Sequence, residues 1–402
     1  MPTPKKRLAA QPAKTLNKTP AVRPRTIVVL LALLVAAATV AFWQLTRAPR
    51  GVGVIKVGVV LPLTGPLAFF GEPERAVLLQ STEALDRAYS GGQGAARGPR
   101  VQLIIEDSAG SARDGVSATQ KILLQEPTAV ITSLTIVSNA TQQLLSEQKT
   151  PQIALSVHPT LAGQSRYTFR PYYGFEQEMR VLADYLIANN RRRVGILWVL
   201  VPECEAAIND VLRPRLEESG GLVVASESYN FTDMNLRAQL AKIASSEPDA
   251  ILVMDFGNLY GLILKEAENL GIRKLVVGNI GLLTAPPIDD ALLEGVVFSG
   301  PSFVINNSPE YAKFAAEFEQ RTKMKPTYDV LYTKDAFDIL MKALRETADA
   351  EGRVDRDRLA ERLRAMNTYK GMTGEMKVNR NGNVEVEIGM GVYHDGKIQP
   401  LP

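Results

Sequence analysis

The sequence predicts an α/β protein of two lobes, each an open, mostly parallel sheet flanked by helices, preceded by one N-terminal transmembrane helix. Three observations predict it. Short β-branched runs, apolar throughout, alternate with helical stretches; 352 residues follow position 50, more than one hydrophobic core usually serves; and a basic arm precedes an uncharged apolar span.

The span comes first. Residues 26 to 45 carry no charge, and at about 1.5 Å per helical residue they cover a hydrocarbon core of roughly 30 Å. Lys5, Lys6, Arg7, Lys14, Lys18, Arg23 and Arg25 lie before it, while Arg47 and Arg50 closely follow. The positive-inside bias therefore keeps residues 1–25 in the cytoplasm as a basic arm and exports the body. Thr39-Val40-Ala41 has the small residues of a cleavage site, yet Phe42 and Trp43 continue the apolar run as interfacial aromatics do, so 26–45 reads as an anchor or an uncleaved signal. The only cysteine, Cys204, lies far downstream. No lipid-bearing cysteine follows the span, and an internal disulfide or a cysteine-rich metal site is excluded.

Strand runs fall near 55–61, 101–106, 129–132 and 152–155, then near 194–200, 222–228, 250–254 and 275–278. Their lack of alternation is the mark of strands buried on both faces, hence of parallel sheets. Between the first two, 72–89 reads as a helix with Pro73 in its first turn and Val77, Ala84, Leu85 and Ala88 on one stripe. Tyr311, Phe314, Ala315 and Phe318 repeat that spacing, as a helix packed on a sheet. Loops concentrate at 90–99 and 306–309.

Charge and motifs exclude several functions. The first 50 residues hold nine Lys and Arg and no acid, so the rest carries 37 bases against 43 acids, a net −6. A mildly acidic body without a basic stripe is no nucleic-acid binder. Gly92, Gly94 and Gly98 follow a helix and lead into a strand, the reverse of what a dinucleotide fingerprint requires, and Gly51, Gly53 and Gly58 straddle a strand start with the wrong spacing. With only His158 and His394 available as a base, Cys204 reads as a small buried hydrophobe rather than a nucleophile. Gly-x-Ser-x-Gly and His-Glu-x-x-His motifs are absent. No catalytic residue, cofactor or metal is expected.

Four landmarks carry a positive signal. Val57-Gly58-Val59-Val60-Leu61-Pro62-Leu63-Thr64-Gly65-Pro66-Leu67-Ala68-Phe69-Phe70-Gly71 comes first, and Leu103-Ile104-Ile105-Glu106-Asp107-Ser108 second, before a helix ending at Gln125 and the strand Ala129-Val130-Ile131. Lys334-Asp335-Ala336-Phe337 opens a helix to Leu344, and Tyr369-Lys370-Gly371-Met372-Thr373-Gly374 leads to Asn379-Arg380-Asn381-Gly382. In this order they resemble the type I periplasmic solute-binding proteins of the branched-chain amino acid (leucine-binding-protein-like) family, the receptors of ABC importers. The resemblance covers roughly 54 to 399. It implies the type I periplasmic-binding-protein fold, with 54–170 plus 300–348 as lobe 1 and 171–299 plus 349–402 as lobe 2, and a ligand enclosed between the sheets' carboxyl edges when a hinge closes.

The resemblance also nominates ligand-binding residues. In that family a serine after the third strand, a hydroxyl-bearing loop after the fourth and helix N-terminal amides hold the ligand carboxylate. The corresponding stretches, Ser133-Leu134-Thr135-Ile136-Val137-Ser138 and Ser156-Val157-His158-Pro159-Thr160, offer Thr135, Ser138, Ser156 and Thr160. Ser138 reads equally as a helix N-cap. Phe70, Tyr172 and Tyr173 are candidates for the cleft wall, the tyrosines reading equally as hinge packing. The family's acid for an amino group falls at Ile280 here, within Val277-Gly278-Asn279-Ile280-Gly281, and Asp255 at the end of Ile251-Leu252-Val253-Met254 is the nearest substitute.

The expected function is capture of a small polar, amino-acid-like or carboxylate ligand outside the cytoplasm and its delivery to an ABC permease. A membrane-tethered sensor or scaffold of the same fold, signalling to a membrane partner, is the alternative.

Overall fold

The computed structural model describes residues 54–90, 100–272 and 274–402. The basic arm, the apolar span at 26–45 and the loop 91–99 lie outside the described residues. Among those described, no helix is long and apolar enough to cross a membrane.

The first lobe begins with β1 (Val54–Leu61), α1 (Ala68–Ser90), β2 (Arg100–Asp107), α2 (Ala112–Leu123), β3 (Ala129–Ser133), α3 (Thr135–Glu147), β4 (Gln152–Leu155) and β5 (Thr168–Phe169). The sheet order is β2-β1-β3-β4-β5, parallel throughout. Successive strand residues point to opposite faces. Accordingly Val57, Val59 and Leu61 join a core with Phe70 and Leu78 of α1, whereas Val60 and Val130 join Ala118 and Ile122 of α2 and Val137 and Leu145 of α3. Burial on both faces explains the unbroken apolar runs.

The second lobe continues through α4 (Phe175–Ala188), β6 (Arg193–Val199), α5 (Pro202–Ala207), α6 (Arg213–Glu218), β7 (Leu222–Tyr229), α7 (Arg237–Ser245), β8 (Ala250–Met254), α8 (Tyr260–Asn269), β9 (Leu275–Gly278), α9 (Asp290–Leu293) and β10 (Val297–Pro301). The chain returns as α10 (Ser302–Ile305), α11 (Pro309–Thr322), α12 (Tyr328–Thr347), α13 (Arg356–Arg364) and a three-stranded antiparallel sheet, β11 (Thr368–Gly371), β12 (Gly374–Val378) and β13 (Val384–Val386). It ends in β14 (Ile388–His394) and β15 (Lys397–Leu401), which complete the second sheet in the order β15-β14-β10-β9-β8-β6-β7 with antiparallel pairings at that edge.

Several sequence expectations are corrected. The first helix starts at Ala68, a turn before Pro73, because Gly71 lies against the Pro62 carbonyl, where a Cβ would come within 2.2 Å of the oxygen. Its buried stripe is Phe70, Glu74, Val77, Leu78 and Ser81; Ala84 and Ala88 are exposed. The helix expected from Lys334 to Leu344 runs from Tyr328 to Thr347, capped by the Thr327 hydroxyl accepting from the Val330 amide at 3.4 Å. Phe314 and Phe318 pack on Val77 of α1 and on Val330 and Leu331 of α12, hence on helices rather than on a sheet.

Residues 349–402, expected wholly in the second lobe, divide. β14 and β15 pair there, whereas Arg364 of α13 donates to the carbonyls of Ala162, Ser165 and Thr168 beside the first sheet. The β11–β12 turn is fastened to α12 by Asp335, whose carboxylate accepts from the Met372 and Thr373 amides and the Thr373 hydroxyl at 2.7–2.9 Å. Burial pushes that carboxyl up to about 6 against those bonds.

Candidate functional site

A cavity of about 660 Å³ lies where the carboxyl edges of the two sheets face each other. Loops after β1, β2, β3 and β4 supply one side and loops after β6, β7 and β8 the other, with Tyr172 from the crossing and Tyr328 and Asp329 from the start of α12. Its walls are chiefly apolar. Phe70 of the first lobe meets Phe256 of the second edge-on, with ring centroids 5.9 Å apart, and Phe231 tilts onto Phe256 at 5.4 Å.

The loops of the first lobe are pinned. Asp107, at the end of β2, accepts from the amides of Leu63 and Ala109 at 2.8 Å and from the Thr64 hydroxyl at 2.5 Å, tying the loop after β1 to that after β2. After β3 the chain enters α3 through Leu134, which lines the cavity with φ 72° and ψ 141° and offers no side-chain cap. A leucine at positive φ is strained by roughly 1–3 kcal/mol, a cost that concentrates at functional sites. The first-turn amides of a helix have no intrahelical acceptor, and here Thr135 and Ile136 of that turn line the cavity. The result is a positively polarised helix end facing an apolar chamber.

Of the residues nominated from sequence, Phe70, Thr135 and Tyr172 line the cavity. Ser156 stands behind Thr135, donating to its hydroxyl at 3.2 Å. Ser138 is neither a cap nor a lining residue: it is buried in α3, its hydroxyl 2.9 Å from that of Thr132. Thr160 is exposed and turned to His158, 3.3 Å from Nδ1. Asp255 is also removed from the cavity wall. Its carboxylate is occupied by the Tyr229 hydroxyl at 2.6 Å and the Gly257 and Leu259 amides at 2.6 and 3.1 Å, closing the turn after β8. Burial raises its pKa against those bonds. Tyr173 is fully buried, stacked on Tyr332 at 5.4 Å.

The crossing between lobes is organised by Arg170. Its guanidinium is 1% exposed and donates to the carbonyls of Ser156, Tyr172 and Tyr173 and to Asn383 Oδ1. Burial lowers its pKa to about 10, opposed by Glu176, so it remains charged at neutral pH.

Sequence reasoning missed the acids of the site. Asp329 lines the cavity, only 3% exposed; Oδ1 accepts from the Tyr172 hydroxyl at 2.5 Å, and Oδ2 has no partner among the described residues. Burial pushes its carboxyl up to about 7, opposed by the Tyr172 bond and, less, by its own amide and the Thr327 hydroxyl. Glu74 of α1 accepts from the hydroxyl of Ser133, a lining residue, at 2.9 Å; burial first, and then the Asp329 charge, hold its pKa well above the ordinary range. One signal was available: Glu74 interrupts the apolar stripe between Phe70 and Val77, and an acid on a core face asks for an explanation. Glu203, in the first turn of α5, lines the opposite wall.

Comparison with known proteins gives a consistent family. The profile described as "Periplasmic binding protein" matches residues 54–388. The chain is 26% identical over 260 residues to the Leu/Ile/Val-binding protein homolog 3 of Brucella melitensis, covering 63% of this chain and 67% of that protein. It is 22% identical over 341 residues to the leucine-, isoleucine-, valine-, threonine- and alanine-binding protein of Pseudomonas aeruginosa, covering 82% and 87%. Among solved structures, the solute binding protein of an ABC transporter from Rhodopseudomonas palustris, in complex with 3,4-dihydroxybenzoic acid, superposes with a TM-score of 0.76 at 18% identity, covering 87% of this chain and 96% of that one. The branched-chain amino acid transporter substrate binding protein from Streptococcus pneumoniae, in complex with isoleucine, does so with a TM-score of 0.73 at 18% identity, covering 87% and 99%. At these identities the structural likeness speaks to the fold.

Proposed function

We propose, for a chain that belongs to the periplasmic binding protein family, that it is an extracytoplasmic receptor which encloses a small carboxylate with an apolar body between its lobes and hands it to an ABC permease. The observation that carries this reading is the uncapped start of α3 opening, through the strained Leu134, into an aromatic-walled cavity between two sheet edges. Aligned amides and the Thr135 hydroxyl would receive the carboxylate, and Phe70, Phe231 and Phe256 the apolar body. Isoleucine and 3,4-dihydroxybenzoic acid, bound by two of the structural neighbours, share that combination of groups. The segments joining the lobes, with Arg170 at the first, would act as the hinge that turns binding into a change of shape.

The test is a melting-temperature screen of apolar carboxylates against their amides and alcohols. A ligand that binds only the native state stabilises it by about 2.7 kcal/mol at 100 times its Kd. Carboxylates should raise the melt, their amides and alcohols should not, and X-ray scattering should show a smaller radius of gyration with ligand bound. No shift with any carboxylate would sink the reading.

A further inference from the structure

An acid lining a ligand cavity with one oxygen unpartnered has a job that the carboxylate-receiving helix end does not explain. Asp329 is more than nine-tenths buried, and its second oxygen makes no hydrogen bond among the described residues, although the Thr327 hydroxyl and its own amide lie near enough to favour the ionised form. Glu74 lies close enough for the Asp329 charge to disfavour its ionisation, and one of its own oxygens likewise makes no hydrogen bond among the described residues, with the Thr333 hydroxyl its nearby donor. No Lys or Arg among the described residues stabilises either carboxyl. Burial of an uncompensated carboxylate costs several kcal/mol unless a cation is brought to it.

We propose that Asp329, backed by Glu74 and oriented by the Tyr172 hydroxyl, is the acceptor for a protonated amine of the ligand. The ligand is then an apolar-bodied amino carboxylate, held at its carboxylate by the start of α3 and at its ammonium by α12. This rests on the function proposed above and refines it. It also relocates the acid absent at Ile280: the cation is received by the helix that returns to the first lobe, not by the second sheet. Aromatic side chains around the site, Tyr172 and Tyr328 among them, favour a cation further.

The groups facing Asp329 are Glu74 from α1, Tyr172 and Tyr173 from the crossing, and Tyr328 and Tyr332 from its own helix. Burial raises each of these tyrosines, so none is charged near neutrality. Asp329, at about 7, is left as the group that titrates near neutrality, beside a Glu74 carboxyl that burial holds well above its ordinary range. Above pH 7 Asp329 is ionised and ready for a cation; below it the charge is lost while the ligand's amine keeps its proton. Affinity for an amino carboxylate should therefore rise with pH, and affinity for its des-amino counterpart should not rise with it.

The probes are leucine with 4-methylpentanoate, and phenylalanine with 3-phenylpropanoate, titrated calorimetrically into the wild type and Asp329→Asn. At pH 8 the wild type should prefer the amino member of a pair by about 30-fold, and Asp329→Asn should remove that preference. Should the variant fail to fold, the wild-type titration between pH 6 and 8 decides: a rise for the amino member alone supports the assignment, and parallel or flat profiles overturn it. Des-amino members binding as tightly as amino members overturn this inference and leave the receptor function standing. Binding of neither series overturns both.

Discussion

At the residue scale, burial decides what each acid does. Asp255 and Asp329 both end up buried beside a tyrosine hydroxyl, yet Asp255 is bonded by two backbone amides on its second oxygen, whereas the second oxygen of Asp329 makes no hydrogen bond among the described residues. The first is a structural clamp and the second is a free acceptor. Asp255→Ala leaves the Gly257 and Leu259 amides and the Tyr229 hydroxyl without their acceptor. It should lower stability by about 1–3 kcal/mol, the usual cost of a stranded buried polar group, and leave ligand affinity unchanged. Thermal melts with calorimetry check both halves, and a weakened ligand in a fully folded variant would return Asp255 to the site.

At the scale of elements, the start of α3 is the informative feature. Helices α2, α11, α12 and α13 are each capped by a Ser, Thr or Asp side chain, at Ser111, Ser308, Thr327 and Asp355. α3 is entered from a leucine without such a cap, as α7 and α8 are, but of these three it is the one that begins at the cavity wall. Ile136, in its first turn, is half-exposed on the cavity wall. Ile136→Asp should place a permanent anion where the ligand carboxylate is proposed to sit. A first-turn acid stabilises a helix by about 0.3–1 kcal/mol, so the free protein should melt slightly higher while carboxylate binding falls by about tenfold or more. Opposite signs in the two measurements separate an occupied helix end from simple damage to the wall.

For the whole molecule, buried acids give stability a definite slope with pH. Burial pushes Glu178 and Asp329 up to about 7 and Asp335 to about 6, and raises Glu74 well above its ordinary range. Each binds its proton more tightly folded than unfolded, so stability is full below the unfolded value and declines as pH rises through the folded one. The window is roughly pH 4.5 to 7.5. Exposed acids held low by hydrogen bonds, such as Asp349 and Asp357, add their stability above the unfolded value and change little in that window. The ligand-free protein should therefore melt at least about 5 °C higher at pH 5 than at pH 8. Glu178 contributes about 3 kcal/mol of this; it accepts from the Ile280 amide at 2.6 Å and the Ser299 hydroxyl at 2.5 Å. Glu178→Gln keeps its carbonyl for both and should flatten the slope. A melt that rises steadily from pH 5 to 8 would contradict the assignment.

The sequence by itself determined β1–β4 of the first sheet and β6–β9 of the second, because burial on two faces leaves an apolar run that needs no partner to be recognised. It also determined the family likeness and, through it, the roles of Thr135, Phe70 and Tyr172 as cleft candidates. The last strands escaped it. β12 alternates buried Gly374 and Met376 with exposed Glu375 and Lys377, a short signal that acquires meaning once Asp335 anchors the neighbouring turn. Tertiary structure alone decided the polarity of the cavity. Whether an acid is a clamp, a surface charge or a free acceptor depends on which donors reach it from distant segments, and Asp329 meets Tyr172 across a separation of 157 residues. Local pattern fixes where a chain is buried; the donors and charges that meet there are set by which loops the fold brings to one edge.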